Sequence, residues 1–116
     1  GSHPIGVGHK LLEDGTVAPY GALSFLPFTP KESLDALNHM YQIPGLVGKY
    51  GLYDAYSYVT KANGDLPWIG KSYLGIDKGL VLLMFENYST QLIWKLLHQN
   101  KSIQKGLKRL EFSQTN

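Results

Sequence analysis

Three acidic residues of this 116-residue chain lie in apolar and aromatic sequence, where a plain core helix has no use for a carboxylate. They are Asp54, Asp77 and Glu86. Cleavage of a glycosidic bond generally uses two carboxyl groups: one protonates the leaving oxygen, and the other activates water or attacks carbon. The three residues are therefore candidate catalytic acids, and they are also candidate hydrogen-bonding groups of a sugar-binding cleft.

Aromatic residues flank these acids, and an aromatic ring can stack on the C–H face of a sugar while leaving its hydroxyls free to hydrogen-bond. The aromatic candidates are Tyr53, Tyr56, Trp68 and Tyr73. The predicted substrate-binding residues are Tyr53, Asp54, Trp68, Tyr73 and Asp77. We expect all of these except Tyr53 to share one concave region. Core packing explains each aromatic candidate equally well, and it is the favoured interpretation for Tyr88 and Trp94.

Each acid also has a structural interpretation. Asp77 stands just before a predicted helix, where its side chain could cap the N-terminus. Glu86 lies in the middle of that helix, where a buried carboxylate needs a hydrogen-bonding or ionic partner. Asp54 lies in an irregular aromatic segment and could fix a turn instead of contacting a ligand. The residue patterns leave both interpretations open for each acid.

The first half of the chain contains clear start and stop signals. Residues 4–19 are rich in glycine and predict a loop. Residues 20–26 form a short apolar run that fits either a strand or a helix. Thr-Pro-Lys-Glu at 29–32 predicts a helix start with a capping box, and Pro44-Gly45 predicts the end of that helix.

The tyrosine-rich segment Gly48 to Tyr58 lacks helical spacing and predicts extended chain. It could form a small hairpin with Trp68 to Tyr73 across the turn at 62–65. The run Leu80 to Leu97 predicts a long helix that is apolar on more than one side, as a helix buried inside a larger assembly would be. Polar residues crowd at 87–90, where we expect this helix to bend.

A last short helix is predicted from Lys101 to Leu110, capped by Asn100. Its basic stripe is explained by a solvated face near a helix C-terminus, and a net charge of +2 does not indicate a nucleic-acid or membrane partner. The chain has no cysteine, its histidines lack metal-ligand spacing, and its longest apolar run is too short to span a bilayer. We therefore predict no metal, no cofactor and no membrane span.

Several motifs in a fixed order resemble the C-terminal signature of the bacterial glucoamylase-like (glycoamylase) domain family. They are Tyr50-Gly-Leu-Tyr-Asp-Ala-Tyr56, Tyr73-Leu-Gly-Ile-Asp-Lys-Gly79, Met84-Phe-Glu-Asn-Tyr-Ser-Thr90 and Trp94-Lys95, with Asp14-Gly-Thr-Val-Ala-Pro-Tyr20 and Leu26-Pro-Phe-Thr-Pro30 upstream. The resemblance covers roughly residues 13 to 112 and favours a short helix at 20–26. It departs at Lys78, Ser89 and Glu111, where the family usually has Gln, Arg and Gly.

The resemblance implies a mainly α fold: the C-terminal helices of a six-hairpin α/α toroid, with a small β-hairpin or extended aromatic segment. On this interpretation residues 1–3 are an expression-tag remnant, and residues 4–116 are the C-terminal segment of a toroid whose proposed catalytic acids lie upstream. The resemblance also implies hydrolysis of a β-glucan, a glucan oligosaccharide as ligand, and a periplasmic or secreted location. The partner would be the remainder of the toroid or a second copy of the chain. The alternative is a non-catalytic helical remnant that packs or binds glycan.

Overall fold

The fold is mainly helical with small antiparallel sheets, as predicted. The computed structural model describes residues 15–61 and 64–113. The helices in these ranges are α1 (Pro19–Ser24), α2 (Pro30–Gln42), α3 (Gly75–Thr90), α4 (Leu92–Gln99) and α5 (Lys101–Arg109). The strands are β1 (Thr16–Val17), β2 (Val47–Gly48), β3 (Gly51–Leu52), β4 (Ala55–Lys61) and β5 (Pro67–Gly70).

Strand β4 is the centre of a three-stranded antiparallel sheet with β1 and β5 on either side. The predicted aromatic hairpin is confirmed as the β4–β5 pair, in which Tyr56 lies opposite Ile69 and Ser57 lies opposite Trp68. Strands β2 and β3 form a separate two-stranded hairpin. Only Tyr53 and Asp54 lie between β3 and β4.

The loop prediction for residues 4–19 is wrong at Thr16–Val17, which forms β1 and pairs with Tyr56 and Ser57 of β4. Residues 4–14 lie outside the described ranges. The local sequence gave no strand signal because the hydrogen-bonding partners of β1 lie 40 residues further along the chain. The tip of the β4–β5 hairpin, residues 62–63, also lies outside the described ranges.

Helix α1 confirms the helical interpretation of residues 20–26. Helix α2 ends at Gln42, just ahead of the stop predicted at Pro44-Gly45. The start of α2 differs in detail from the prediction. Thr29 occupies the N-cap position but makes no side-chain cap. Its hydroxyl instead donates to the Phe25 carbonyl oxygen at 3.3 Å and lies 3.4 Å from the Ser33 hydroxyl. The capping-box prediction is therefore wrong, because the preceding turn offers Thr29 a competing acceptor.

The core lies where α1, α2 and α3 meet the hairpins. Its buried cluster consists of Leu23, Met40, Ile43, Leu46, Leu52 and Tyr56, and Ile69, Val81 and Phe85 pack against it. Helix α3 therefore contributes side chains to this core from its second and third turns. Tyr56 is only 8% exposed and belongs to the core, not to an open sugar-binding surface.

The predicted long helix is two helices. Helix α3 ends at Thr90, Gln91 adopts a left-handed conformation with φ of 60°, and α4 begins at Leu92. The break falls within the polar stretch where a bend was expected. Asn87 is 2% exposed, and its side-chain oxygen accepts from the Trp94 N–H at 3.1 Å. This bond supplies one of the N–H groups at the start of α4 with a partner.

The C-terminal helix follows its prediction closely. The Asn100 side-chain oxygen accepts from the backbone N–H groups of Ser102 and Ile103 at 2.9 and 3.3 Å, so the predicted cap is confirmed. None of the helices in the described residues is long and apolar enough to cross a bilayer. Within residues 15–61 and 64–113, no group of three or more His, Asp and Glu side chains could hold a metal ion.

Candidate functional site

Asp54 is held in place through the backbone of the residues around it. The Tyr53 N–H donates to the Leu46 carbonyl oxygen at 2.9 Å, and the Asp54 N–H donates to the Ser72 carbonyl oxygen at 3.0 Å. These bonds fix the segment between β3 and β4 to the core on one side and to the chain leading into α3 on the other. The side chain of Asp54 therefore projects from an ordered segment.

Asp77 is the third residue of α3. The helix begins at Gly75, and Leu74 occupies the N-cap position without a side-chain cap. The N-cap interpretation of Asp77 is therefore wrong: its carboxylate lies inside the first turn, where it faces the positive end of the helix dipole. The helix starts earlier than predicted. Leu74 adopts the N-cap conformation and Gly75 is the first helical residue, although neither carries a capping side chain.

Asp54 and Asp77 line the same pocket, whose empty space of about 340 Å³ includes open solvent. Its other lining residues are Pro19, Tyr20, Leu23, Leu52, Tyr53, Leu74, Lys78 and Val81. The pocket thus combines an apolar floor with two carboxyl groups, two tyrosines and one ammonium group. This is a composition suited to a small polar ligand with an apolar face.

The two carboxyl groups interact directly. Partial burial raises the pKa of the Asp77 carboxyl above its ordinary value of 3.8, and a hydrogen bond with Asp54 and the charge of Asp54 raise it further. The Lys78 ammonium opposes this shift.

Lys78 connects the two acid-bearing segments. Its Nζ donates to the Leu52 carbonyl oxygen at 2.6 Å and lies 5.6 Å from the centroid of the Tyr73 ring. Leu52 precedes Asp54 by two residues, and Lys78 directly follows Asp77. The side chain therefore crosses the pocket from the helix that carries one acid to the strand that leads to the other.

The tyrosines form a compact cluster beside the pocket. The rings of Tyr53 and Tyr73 lie 4.9 Å apart, and a hydrogen bond with Tyr73 raises the pKa of the Tyr53 hydroxyl. The Tyr73 hydroxyl also accepts from the Tyr50 N–H at 3.2 Å. Both phenol groups lie against Gly48, where a Cβ atom would collide with Tyr73 Oη and Tyr53 Cζ. Gly48 therefore makes room for the cluster.

Tyr73 does not line the pocket, but its ring lies beside two residues that do, Tyr53 and Lys78. Trp68 is likewise not among the lining residues, and its place in the concave region stays a prediction. It pairs with Ser57, whereas Tyr56 and Ile69 occupy the opposite face of the sheet and pack in the core. Side chains alternate between the two faces of a strand, so Trp68 points away from the core face.

Glu86 also lies apart from the pocket. It follows Asp77 by nine residues, about two and a half turns, which places it on the opposite side of α3. Its carboxylate accepts from the Thr90 hydroxyl at 2.5 Å. The expected hydrogen-bonding partner is therefore present, and it lies on the same helix. Glu86 does not line the pocket that Asp54 and Asp77 share.

Sequence reasoning missed two contributors. Tyr20 lines the pocket from α1, and Gly48 admits the tyrosine cluster. Tyr20 gave no signal because the contact between α1 and α3 is long-range. For Gly48, the nearby Tyr50 and Tyr53 in the sequence were a usable signal for close packing.

Comparison with known proteins identifies relatives along most of the chain. The Glycoamylase family model matches residues 3–101. The chain is 36% identical over 101 residues to an exo β-1,2-glucooligosaccharide sophorohydrolase (non-reducing end) of Parabacteroides distasonis. That match covers 85% of this chain and 13% of the relative, so the chain spans about an eighth of its length.

Solved structures are similar in both sequence and fold. An endo-β-1,2-glucanase from Chitinophaga pinensis, in complex with sophorotriose and glucose, gives a TM-score of 0.71 at 39% identity. The similarity covers 86% of this chain and 23% of the glucanase. A β-1,2-glucanase from Parabacteroides distasonis gives a TM-score of 0.71 at 35% identity and covers 85% of this chain and 14% of that one.

Proposed function

Because this chain belongs to the glycoamylase family, we propose that it forms the C-terminal helices of an α/α toroid that hydrolyses a β-glucan. Its own part is one wall of the sugar-binding cleft. The observation that carries this proposal is the pocket in which the Asp54 and Asp77 carboxyl groups meet beside Tyr53 and Lys78. The β-1,2 linkage is the first to test, since the relatives named above act on β-1,2-glucans or β-1,2-glucooligosaccharides.

The chemistry of the pocket suits a sugar ring. Carboxyl groups accept hydrogen bonds from hydroxyls, and the Lys78 ammonium can donate to a hydroxyl oxygen. A tyrosine ring buries the C–H face of a pyranose while leaving its hydroxyls exposed. Tyr53 and Tyr20 are the aromatic residues that line the same pocket as both acids, and Tyr53 directly precedes Asp54. We propose Tyr53, Asp54, Asp77 and Lys78 as the ligand-contacting group, with Tyr73 supporting Tyr53.

The separation of the acids favours a binding role over a catalytic one. Retaining glycosidases hold their two carboxyl groups about 5–5.5 Å apart, and inverting enzymes about 6.5–9.5 Å apart. The hydrogen bond that helps to raise the pKa of Asp77 would place Asp54 closer than either separation, so the pair fits a binding role better. Glu86 lies on the far side of α3. The catalytic acids are therefore proposed to lie in the remainder of the toroid.

A chimera tests the proposal in a complete enzyme. The segment of the Chitinophaga pinensis glucanase that matches this chain would be replaced by residues 15–113, and hydrolysis of β-1,2-glucan would be measured. We expect an active chimera. Asp54→Ala should lower kcat/KM at least tenfold, about the loss of one hydrogen bond to a charged group. Asp35→Ala, which removes an exposed acid of α2, is the matched control and should leave kcat/KM unchanged.

The 116-residue chain alone should show no hydrolysis. Glucan cleavage by the isolated chain would contradict the proposal that the catalytic acids lie in the remainder of the toroid. It would instead place a catalytic pair among the acids of this chain. A second candidate function is glycan binding without catalysis, which the short contact between Asp54 and Asp77 favours. Two results together would select that function. The chimera would be inactive, and the isolated 116-residue chain would bind sophorotriose but lose this binding in Asp54→Ala.

A further inference from the structure

Residues 52–54 are each held by a hydrogen bond from a different part of the chain. Leu46 holds the Tyr53 N–H, and Ser72 holds the Asp54 N–H. The Leu52 carbonyl oxygen accepts from the Lys78 Nζ at 2.6 Å. The bonds to Tyr53 and Asp54 join backbone to backbone, but the bond to Leu52 comes from a charged side chain of α3. That side chain belongs to the residue directly after Asp77.

We propose that Lys78 is the positioning residue of the carboxyl pair: anchored on the Leu52 carbonyl oxygen, its side chain ties the segment of Asp54 to the helix of Asp77, and its ammonium supplies the positive charge that lets both acids face one ligand. The inference rests on the sugar-binding role proposed for the pocket. It goes beyond that role by assigning the residue that sets the geometry and charge of the site.

The first argument is geometric. A single side chain links β3 to the first turn of α3, and the two acids lie within two residues of the two ends of this link. Loss of the link would free the start of α3 to move relative to Leu52. The Tyr73 ring lies 5.6 Å from the same ammonium and limits where it can go. Lys78 is therefore constrained at its head group although the residue as a whole is exposed.

The second argument is electrostatic. Two carboxyl groups within hydrogen-bonding reach repel each other once both are ionised. The anchor of Lys78 is a neutral carbonyl oxygen, so its charge is not cancelled by the group that holds it. The other titratable side chains lining the pocket are Tyr20 and Tyr53, and neutral phenols cannot offset a carboxylate charge. Among the residues that line the pocket, Lys78 is the cation that can offset a carboxylate charge.

A second lysine provides a matched control. Lys95 of α4 also donates from Nζ to a backbone carbonyl oxygen, that of Thr90, at 2.8 Å. It does not line the pocket. Substitution by methionine at either position removes one lysine-to-carbonyl bond and one positive charge while keeping much of the apolar stem. Only the substitution at position 78 should affect the carboxyl pair.

The test uses the full 116-residue chain with ¹³C-labelled aspartate and follows the Asp77 carboxyl titration by NMR. Lys78→Met should move the Asp77 midpoint to higher pH, Lys78→Arg should restore it, and Lys95→Met should leave it in place. Sophorotriose affinity should fall about tenfold in Lys78→Met, as expected for a lost hydrogen bond to a charged group, and should recover in Lys78→Arg. Thermal melts of Lys78→Met and Lys95→Met provide the comparison for general destabilisation.

An unchanged Asp77 midpoint in Lys78→Met, or an equal shift in Lys95→Met, would overturn the inference. If the wild-type chain does not bind sophorotriose, the proposed ligand fails, whereas the titration still decides whether Lys78 controls the pair. If sophorotriose binds and Lys78→Met has the wild-type midpoint and affinity, the sugar site stands and Lys78 has no positioning role in it.

Discussion

The carboxyl groups of Asp54 and Asp77 meet although they come from separate elements, one from the segment after β3 and the other from the first turn of α3. A hydrogen bond with Asp54 and the charge of Asp54 add to the burial that raises the pKa of Asp77. The Ser72 carbonyl oxygen accepts from the Asp54 N–H, and Lys78 joins α3 to the Leu52 carbonyl oxygen, so both acids project from segments that are tied to their neighbours.

The first prediction concerns stability and pH. Because the pKa of Asp77 in the folded chain lies above its ordinary value of 3.8, this group stabilises the fold fully below pH 3.8. That contribution is lost as the pH rises through the raised pKa. Asp77→Asn should remove this part of the pH dependence, whereas Asp35→Asn should keep it. Urea unfolding between pH 3 and pH 7 measures the difference, and identical profiles for wild type and Asp77→Asn would refute it.

Gly48 should not tolerate a side chain. A Cβ atom there would collide with Tyr73 Oη and Tyr53 Cζ, so Gly48→Ala should displace the tyrosine cluster. We expect a loss of about 1–3 kcal/mol in the free energy of unfolding, as for other overpacked sites. Gly79→Ala in α3 meets no atom within 4 Å and should be stabilising by up to about 1 kcal/mol. Chemical denaturation of the two variants tests the contrast, and equal effects would argue against a packing role for Gly48.

Asn87 should be the most sensitive residue of the junction between α3 and α4. Asn87→Ala leaves the Trp94 N–H without its side-chain acceptor in a buried position, at a cost of about 1–3 kcal/mol. Asn100→Ala removes an exposed cap of α5 and should cost about 1 kcal/mol. Thermal melting of both variants measures this order. A larger loss for Asn100→Ala would show that the buried contact is not what fixes the junction.

The apolar surface of α3 should drive association of the isolated chain. Ile76 and Leu82 are 81% and 70% exposed, an unusual exposure for large apolar side chains of a helix. In the proposed toroid, the remaining helices would cover this surface. Without them, we expect concentration-dependent self-association, reduced by Leu82→Glu and unaffected by Leu66→Glu, which alters an exposed leucine ahead of β5. Light scattering that finds a monomeric wild-type chain at high concentration would contradict this.

Local signals predicted the elements whose hydrogen bonds are satisfied nearby. The Asn100 cap, the helix end before Pro44 and the β4–β5 hairpin each depend on neighbouring residues, and each is present. The prediction failed where a distant partner decides the structure. Strand β1 exists because β4 offers it a free edge, and the two-helix junction depends on a buried Asn87.

The residue pattern identified the two acids of the pocket, but it did not identify the other residues that line it. Asp54 and Asp77 were recognisable as carboxylates in apolar sequence, and they share a pocket. The absence of Trp68 from the pocket lining depends on strand register, because a shift of one residue exchanges the two faces of the sheet. The aromatic composition around the acids could not reveal that register. The ligand-binding roles of these residues stay predictions.

The order in which α3, α4 and α5 pack has a consequence for backbone opening. Helix α4 packs mainly against α3, and α5 packs mainly against α4, so each depends on the helix before it. Opening of α5 breaks one interface, whereas opening of α4 also releases α5. Amide protons should therefore exchange with solvent fastest in α5 and more slowly in α4, with the sheet and the start of α3 protected longest.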